Sequence, residues 1–478
     1  MAYNHGIRVQ ENPTSVAAPQ INSSAIPVIF GTAPVNMAAD PANATNKLFL
    51  CRTFEEAKAA VGYLNDYANY TLCQCMDTFF KMFGVGPIIL CNVLDPATHR
   101  VEYSETVNVV NNQATTTSTG IILSTLTVAS DGGTTLTLDT DYTLEFDNNG
   151  YVRVTMITDG VTSIELNGYK LDASKVLATD VIGSTDVATG VETGIELVRK
   201  VYPTFNVVPG LLLAPGWSNK PEVALALAAK CEKISGVFQC ECVVDIDTTT
   251  VKKYTDVEEY KTNNGYASKH MICLWPKVKY AGKQLDYSAV YTAMVVYTDI
   301  QNDNVPYFSS NQALGGVSAT VLADGTEVVL DTIQANELNA IGVVTAINVG
   351  GFKSWGNNTA CYPTVTDPKD RWINCRRFFS WWGNSFITTY MEKVDNPADY
   401  RLIESIVDSE NVRGNALASQ GKCAGVRMEY NASDNPIESV MDGKIVFKQY
   451  LAPYTPAEDI LNVLEFDVNM IAVALGGE

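Results

Sequence analysis

Two Cys-X-Cys pairs, Cys73-Gln74-Cys75 and Cys240-Glu241-Cys242, carry the side chains of this 478-residue sequence best suited to ligating zinc. A zinc site usually takes four ligands at motif spacing. The three histidines, His5, His99 and His270, are far apart in sequence. Cys73 and Cys75 fall on a predicted helix, where residues two apart face different ways. Buried thiols acting as small hydrophobes account for them better. Asp245 and Asp247 sit at a strand end, but a chain with 53 acidic residues has many such pairs. The run Pro209-Gly210 to Pro215-Gly216 precedes a helix start, where phosphate would bind. It lacks the glycine spacing and lysine of a P-loop, and neither Gly-X-Gly-X-X-Gly nor Gly-X-Ser-X-Gly occurs. With so few histidines, candidates for a general base are scarce. The expectation is a protein that is not an enzyme and uses no cofactor or metal.

The elements that position these residues read as α/β. Ile26 to Pro34 reads as a buried strand closed by a turn, Thr53 with Glu56 opens a helix, and a second helix runs from about Asn69 to Phe83 with Gly84 as its C-cap. Pro87 to Leu94 is a strand. From 96 to 193 the texture becomes Thr- and Ser-rich, with Asp131-Gly132-Gly133 and Asn148-Asn149-Gly150 as turns between the short strands Leu136–Leu138, Tyr142–Phe146 and Tyr151–Val154. That stretch holds 13 acidic and 4 basic residues, a net of −9, and reads as an inserted all-β unit facing solvent. The alternative is that its strands extend the main sheet. Strands and helices then alternate again, implying βαβ units and a largely parallel sheet. A strand then a loop is expected over 207–216, and strands over 237–246, 270–275 and 343–349. Helices are expected from Ser218 or Asn219 to Ile234, from Thr249 to Asn263, and from Ser288 to Asn302. Two long helices follow, at 371–393 and 397–419, then strands at 425–430 and 444–450.

Bulk numbers exclude several classes. An apolar fraction of 46% with 18% charged residues is that of a folded globular chain. A net charge of −20 argues against nucleic acid or an anionic membrane as a main partner. There is no apolar run of the roughly 18 residues that a membrane span needs, and no basic-then-apolar leader at the N-terminus. Eleven scattered cysteines suggest reduced thiols in a cytoplasmic fold.

The two ends stand out. Leu464-Glu465-Phe466-Asp467-Val468-Asn469-Met470 alternates strictly, with Leu464, Phe466, Val468 and Met470 on one face. Burying those four side chains is worth roughly 6–12 kcal/mol, and ordering seven residues costs roughly 7–14 kcal/mol. Such a strand breaks even alone and needs the edge of an existing sheet. Gly6-Ile7-Arg8-Val9-Gln10-Glu11 alternates in a similar way, with Ile7 and Val9 on one face. It reads either as an edge strand of its own domain or, with its C-terminal counterpart, as an arm donated to a neighbour.

Four stretches, in order, carry a family resemblance: Gly6 to Glu11 with Ala25-Ile26-Pro27-Val28-Ile29-Phe30-Gly31-Thr32-Ala33; Val208-Pro209-Gly210-Leu211-Leu212-Leu213-Ala214-Pro215-Gly216-Trp217; Trp355-Gly356-Asn357-Asn358-Thr359 with Trp372-Ile373-Asn374-Cys375-Arg376-Arg377; and Asn435-Pro436 to Lys444 with Pro453-Tyr454-Thr455-Pro456-Ala457-Glu458. The chain resembles the contractile tail sheath proteins of myophages and R-type bacteriocins, particularly clostridial-type members, over nearly its whole length. It departs where the family often shows Trp-Gly-Asn-Arg-Thr, because Asn358 takes the Arg position.

The resemblance implies a sheath fold with a parallel or mixed-sheet core, an inserted outer β domain and extended terminal strand arms. The implied layout is an N-terminal arm (1–24), a sheath domain in two parts (25–95 and 194–360), the outer insert (96–193), an inner domain (361–459) that faces the tube and forms the mesh, and a C-terminal arm (460–478). It implies hexameric rings of this chain stacked helically around an inner tail tube protein, with baseplate and tail terminator proteins as further partners. Contraction then drives the tube through a bacterial envelope. Asp399, Arg401, Glu404, Asp408 and Arg413 become candidates for facing the tube. The rival readings are a nucleotide- or sugar-binding α/β enzyme with a β accessory domain, and a surface-layer or adhesin protein. The first would show turnover or a bound ligand, and the second would need a secretory signal.

Overall fold

The computed structural model describes residues 20–21 and 24–476. In chain order its main strands are β1 (Ile26–Gly31), β2 (Leu48–Cys51), β3 (Ile88–Asn92), β4 (Arg100–Asn108), β5 (Gln113–Thr119), β6 (Thr127–Ser130), β7 (Tyr142–Phe146), β8 (Tyr151–Met156), β9 (Ser163–Leu171), β10 (Pro209–Leu213), β11 (Glu241–Asp245), β12 (Met271–Leu274), β13 (Val343–Asn348), β14 (Phe352–Trp355), β15 (Gly425–Glu429) and β16 (Lys448–Ala452). The main helices are α1 (Phe54–Val61), α2 (Thr71–Met76, running on as a π-helical stretch to Phe83), α3 (Pro221–Glu232), α4 (Val257–Asn263), α5 (Tyr287–Gln301), α6 (Thr332–Ala340), α7 (Ile373–Tyr390), α8 (Tyr400–Ser419) and α9 (Val468–Ala474).

The central sheet has eight strands in the order β14-β13-β12-β11-β10-β1-β3-β2. Its interior pairs are parallel, and β2 and β14 close the two edges antiparallel. Parallel strands covered on both faces must be apolar throughout, and every residue of β1, β3, β11 and β12 is buried. Gly210 shows how tightly β10 enters beside β1: a Cβ there would lie 2.5 Å from the Cα of Ala25. α1 starts as read, with the Thr53 hydroxyl accepting from the Glu56 amide at 3.2 Å, and α2 ends at Gly84, whose φ is +63°.

Residues 100–171 form two antiparallel three-stranded sheets, β5-β8-β7 and β4-β9-β6. Their inward side chains, among them Tyr103, Val128, Val152, Val154, Ile164 and Leu166, make a hydrophobic cluster separate from that of the central sheet. None of these strands joins the eight-stranded sheet. Leu136–Leu138, expected as a strand, makes no more than isolated bridges at its ends.

Past the central sheet, α7 lies against the α/β body through buried polar groups as well as apolar ones such as Ile373, Phe378 and Trp382. The Arg377 guanidinium, buried on α7, pairs with both oxygens of buried Asp299 at the end of α5. Asp299 also accepts from the Ser24 hydroxyl at 3.1 Å and the Tyr307 amide at 3.0 Å. The Ser380 hydroxyl donates to Glu241 at 2.6 Å, and Asn384 bonds both the amide and the carbonyl of Gln239. A buried charge pair persists only where hydrogen bonds satisfy its remaining lone pairs. This seam meets that condition. α8 runs back along α7 and packs on β15, where Gly414 allows the approach: a Cβ would come 2.7 Å from that of Val426.

Candidate assembly surface

β15 and β16 form a two-stranded antiparallel sheet, Gly425 opposite Ala452 and Glu429 opposite Lys448. The Met428 amide bonds the Asn411 side chain of α8 at 2.8 Å, and Asn411 also donates to the Met428 carbonyl at 3.1 Å. Met428 therefore directs its backbone away from β16, and in an antiparallel ladder its partner Gln449 directs its own groups the opposite way, outward. The β15 edge is closed by Asn411. On the β16 edge, Gln449 and Leu451 present outward N–H and C=O groups, and among the described residues no further strand joins them. Glu410, buried on α8, holds β16 in place by accepting from the Gln449 side chain at 2.9 Å. Nothing in the local sequence marked Glu410 as buried, because besides Arg413 one turn on, its partner is Gln449 of the distant β16.

The chain leaves β16 as a strap. The Asn374 amide donates to the Tyr454 carbonyl at 2.8 Å, and the Asn357 amide to Glu458 at 3.3 Å. Arg371 lies 3.8 Å from Glu458. Its guanidinium stacks on Trp372 and Tyr362, and its Nε donates to the Asn358 side-chain oxygen Oδ1 at 3.1 Å. The Asn358 side chain thus steadies the Arg371 guanidinium.

From Ile460 to Ile471 the side chains stand in solvent. Leu464 is 86% exposed, Phe466 78%, Val468 67% and Met470 72%. The strand expected over 464–470 is not formed. Residues 460–467 have no regular structure, and Val468–Ala474 is the short helix α9, started by Asp467, which accepts from the amides of Asn469 and Met470. The physical reason is the break-even balance noted for this segment. With no sheet edge beside it, the strand has nothing to bond, and a local cap favours a helical turn. Ile7 and Val9 lie outside the described residues.

Of the candidates for facing the tube, Arg401, Glu404 and Asp408 project from α8 into solvent. Asp399 is the N-cap of α8, accepting from the Leu402 amide at 2.8 Å. Arg413 turns inward, with its guanidinium 3.9 Å over Trp382 and a 2.7 Å bond to Ser385. It packs α8 on α7 and is not free for a partner.

The residues weighed for catalysis serve the body. Cys73, Cys75, Cys240 and Cys242 are buried, and among the described residues no three His, Cys, Asp or Glu side chains cluster to hold a metal. Asp245 accepts from the Ser288 amide and the Ser218 hydroxyl at the floor of a crevice of about 550 Å³. Burial, and then the nearby Asp286 charge, push its carboxyl up to about 6. In the Pro215-Gly216 turn the Trp217 and Ser218 amides both bond the Ala214 carbonyl, so they are spent on the strand-to-helix corner.

No family model matches the chain. Among curated proteins, the tail sheath protein of Burkholderia phage BcepMu is 26% identical, with 99% of each chain covered. That of Escherichia phage P2 is 27% identical over 59% of this chain and 69% of its own. Among solved structures, a chain of the anti-feeding prophage baseplate superposes with a TM-score of 0.60 at 14% identity, covering 98% of this chain and all of that one. A chain of the PVC sheath complex, an extracellular contractile injection system in its contracted state, gives 0.59 at 15% identity, covering 98% and 99%. The fold is the mixed α/β fold of contractile-system sheath subunits. In sequence the chain is similar over its full length to a phage tail sheath protein, which together with the fold supports a structural sheath subunit.

Proposed function

We propose that each copy donates the segment after Asp459 as a strand to the β16 edge of a neighbour, with the N-terminal arm joining the same sheet. The observation that carries this reading is the pairing of an exposed alternating apolar tail with an unfilled strand edge in one molecule. Head-to-tail contacts of this kind do not close on themselves, so they propagate as a helical polymer. Hexameric rings stacked around an inner tail tube, seated on a baseplate and closed by a terminator, follow from the family role. Donated strands keep their main-chain bonds while the bodies rotate past each other, so copies stay connected through contraction. The extended sheath is a trapped arrangement, and its release drives the tube through an envelope.

In this reading residues 25–95 and 194–360 form the sheath body, the acidic segment 96–193 faces outward, and residues 361–459 lie nearest the tube. Outward acidity keeps neighbouring particles apart. Arg401, Glu404 and Asp408 offer the tube a mixed-charge face whose exposed pairs are worth about 0–1 kcal/mol each. Contacts that weak are suited to breaking on firing.

The test is electron microscopy of the purified, concentrated protein beside a chain lacking residues 460–478. The full chain is expected to form hollow tubes and the truncated chain to remain a folded monomer. Tubes from the truncated chain would refute arm donation, and a full chain that stays a small oligomer with catalytic turnover would refute the sheath role.

A further inference from the structure

Cys231, at the end of α3, and Cys240, just before β11, lie with their sulfurs 3.4 Å apart. Their backbones also touch, the Cys240 amide donating to the Cys231 carbonyl at 3.1 Å. Between them the chain makes a tight reversal, Ile234 bridged to Phe238, with Ser235 at φ +51° and Gly236 at φ +83°. The thiols are fully buried, but Glu232, Lys233, Ser235, Gly236 and Val237 of the reversal are exposed. Disulfide bridging needs paired backbones and side chains already directed at each other, and this pair has both.

We propose that Cys231 and Cys240 form a latent disulfide staple, made when the folded chain meets an oxidising low-molecular-weight disulfide such as oxidised glutathione. The chemistry balances in two exchanges. A protein thiolate attacks the glutathione disulfide, releasing one glutathione thiolate and leaving a mixed disulfide. The second protein thiolate then displaces the second glutathione. Two protein thiols are oxidised, one glutathione disulfide is reduced to two thiols, and the two protein protons pass to solvent or to the departing thiolates.

Access comes through opening of the exposed reversal, a local event that leaves the sheet intact. Burial, then the neighbouring Cys240 and Cys242 thiols, push the Cys231 thiol well above its ordinary value. The exchange is therefore slow near neutrality and faster as pH rises. Gln239, next to Cys240, is the residue that Asn384 of α7 holds by two hydrogen bonds. A staple here closes the loop on which the seam between α7 and the body rests, and reinforces it without altering the surface offered to neighbouring copies.

The experiment uses the full-length native chain, incubated with oxidised glutathione at pH 8 and at pH 7, then alkylated, digested and mapped by mass. The expected result is one intramolecular Cys231–Cys240 bridge with a loss of about 2 Da, formed faster at pH 8. Nine of the eleven thiols should remain free, and the melting temperature should rise by a few degrees. Cys240→Ser should abolish the bridge and Cys242→Ser should leave it. The proposal is overturned if native protein keeps all its thiols, if Cys242 takes the place of Cys240, or if bridging needs denaturant. All readouts are taken on the monomer and do not depend on whether the chain polymerises.

Discussion

Replacing Phe466 by Asp separates the tail's role from the stability of the body. In the isolated chain Phe466 is 78% exposed, so the substitution should change the folding free energy by no more than about 0.5 kcal/mol, as exposed positions do. In a donated strand the ring is buried, and its loss forfeits about 1.5–3 kcal/mol. Burying a carboxylate in its place adds a penalty of at least about 1–3 kcal/mol. The four apolar side chains offset the cost of ordering the segment with little surplus, so the loss falls directly on association. A deficit of about 3 kcal/mol is on the order of a hundredfold in the association constant. The critical concentration for polymerisation, read by sedimentation and negative-stain microscopy, should rise by about that factor, while the monomer's melting curve stays in place. Phe466→Leu should polymerise nearly as the parent does. If Phe466→Asp polymerises at the parent concentration, the tail is not buried between copies. If its melting temperature drops instead, the tail packs on its own body.

Arg377→Ala leaves the Asp299 carboxylate buried without its cation and should cost about 3–5 kcal/mol, seen as a clear fall in the denaturant midpoint. Arg377→Met with Asp299→Leu should recover much of that loss. Gly414→Ala drives a methyl into Val426 and should destabilise by about 1–3 kcal/mol, and trimming Val426 to Ala should recover little of it, because the close contacts are with the Cβ at 2.7 Å and the carbonyl oxygen at 2.8 Å, which alanine keeps. Asp245 has a folded-state value raised to about 6, so its contribution to stability is full below about pH 4 and is lost as pH rises through 6. Asp245→Asn should therefore flatten the fall in stability between pH 4 and pH 7 in calorimetric scans. Glu458→Gln, with Arg371 intact, should leave folding unchanged and increase protease cutting after Asp459.

The central sheet was legible because its strands are unbroken apolar runs set off by Pro and Gly, as in Ile26–Gly31 and Pro209–Leu213. Parallel strands buried on both faces leave that mark. The β-rich segment was legible from its turn residues. Boundaries failed where a polar side chain had another local use. Thr249 looked like a helix start, yet its amide and hydroxyl bond Asp247, and α4 begins only at Val257. Ser218 or Asn219 was the expected cap of α3, but Ser218 bonds Asp245 and the helix opens at Pro221 after Lys220. Arg413 and Glu410 share the charged surface pattern of α8. Only the strands and helix packed beside them decide that they turn inward. The terminal alternation was read as a strand, and in one chain it is partly a helix. The pattern records a demand for burial that the described residues of this fold leave unmet.

The strap fastens the chain at Glu458, and residues 460–476 extend past it without an anchor. Drawn out at about 3.3 Å per residue, that length spans on the order of 50 Å. Under the proposed donation it acts as a leash of fixed maximum length: two bodies joined through it could slide, tilt or draw together freely, but not separate beyond its reach without tearing either the clamp or the graft.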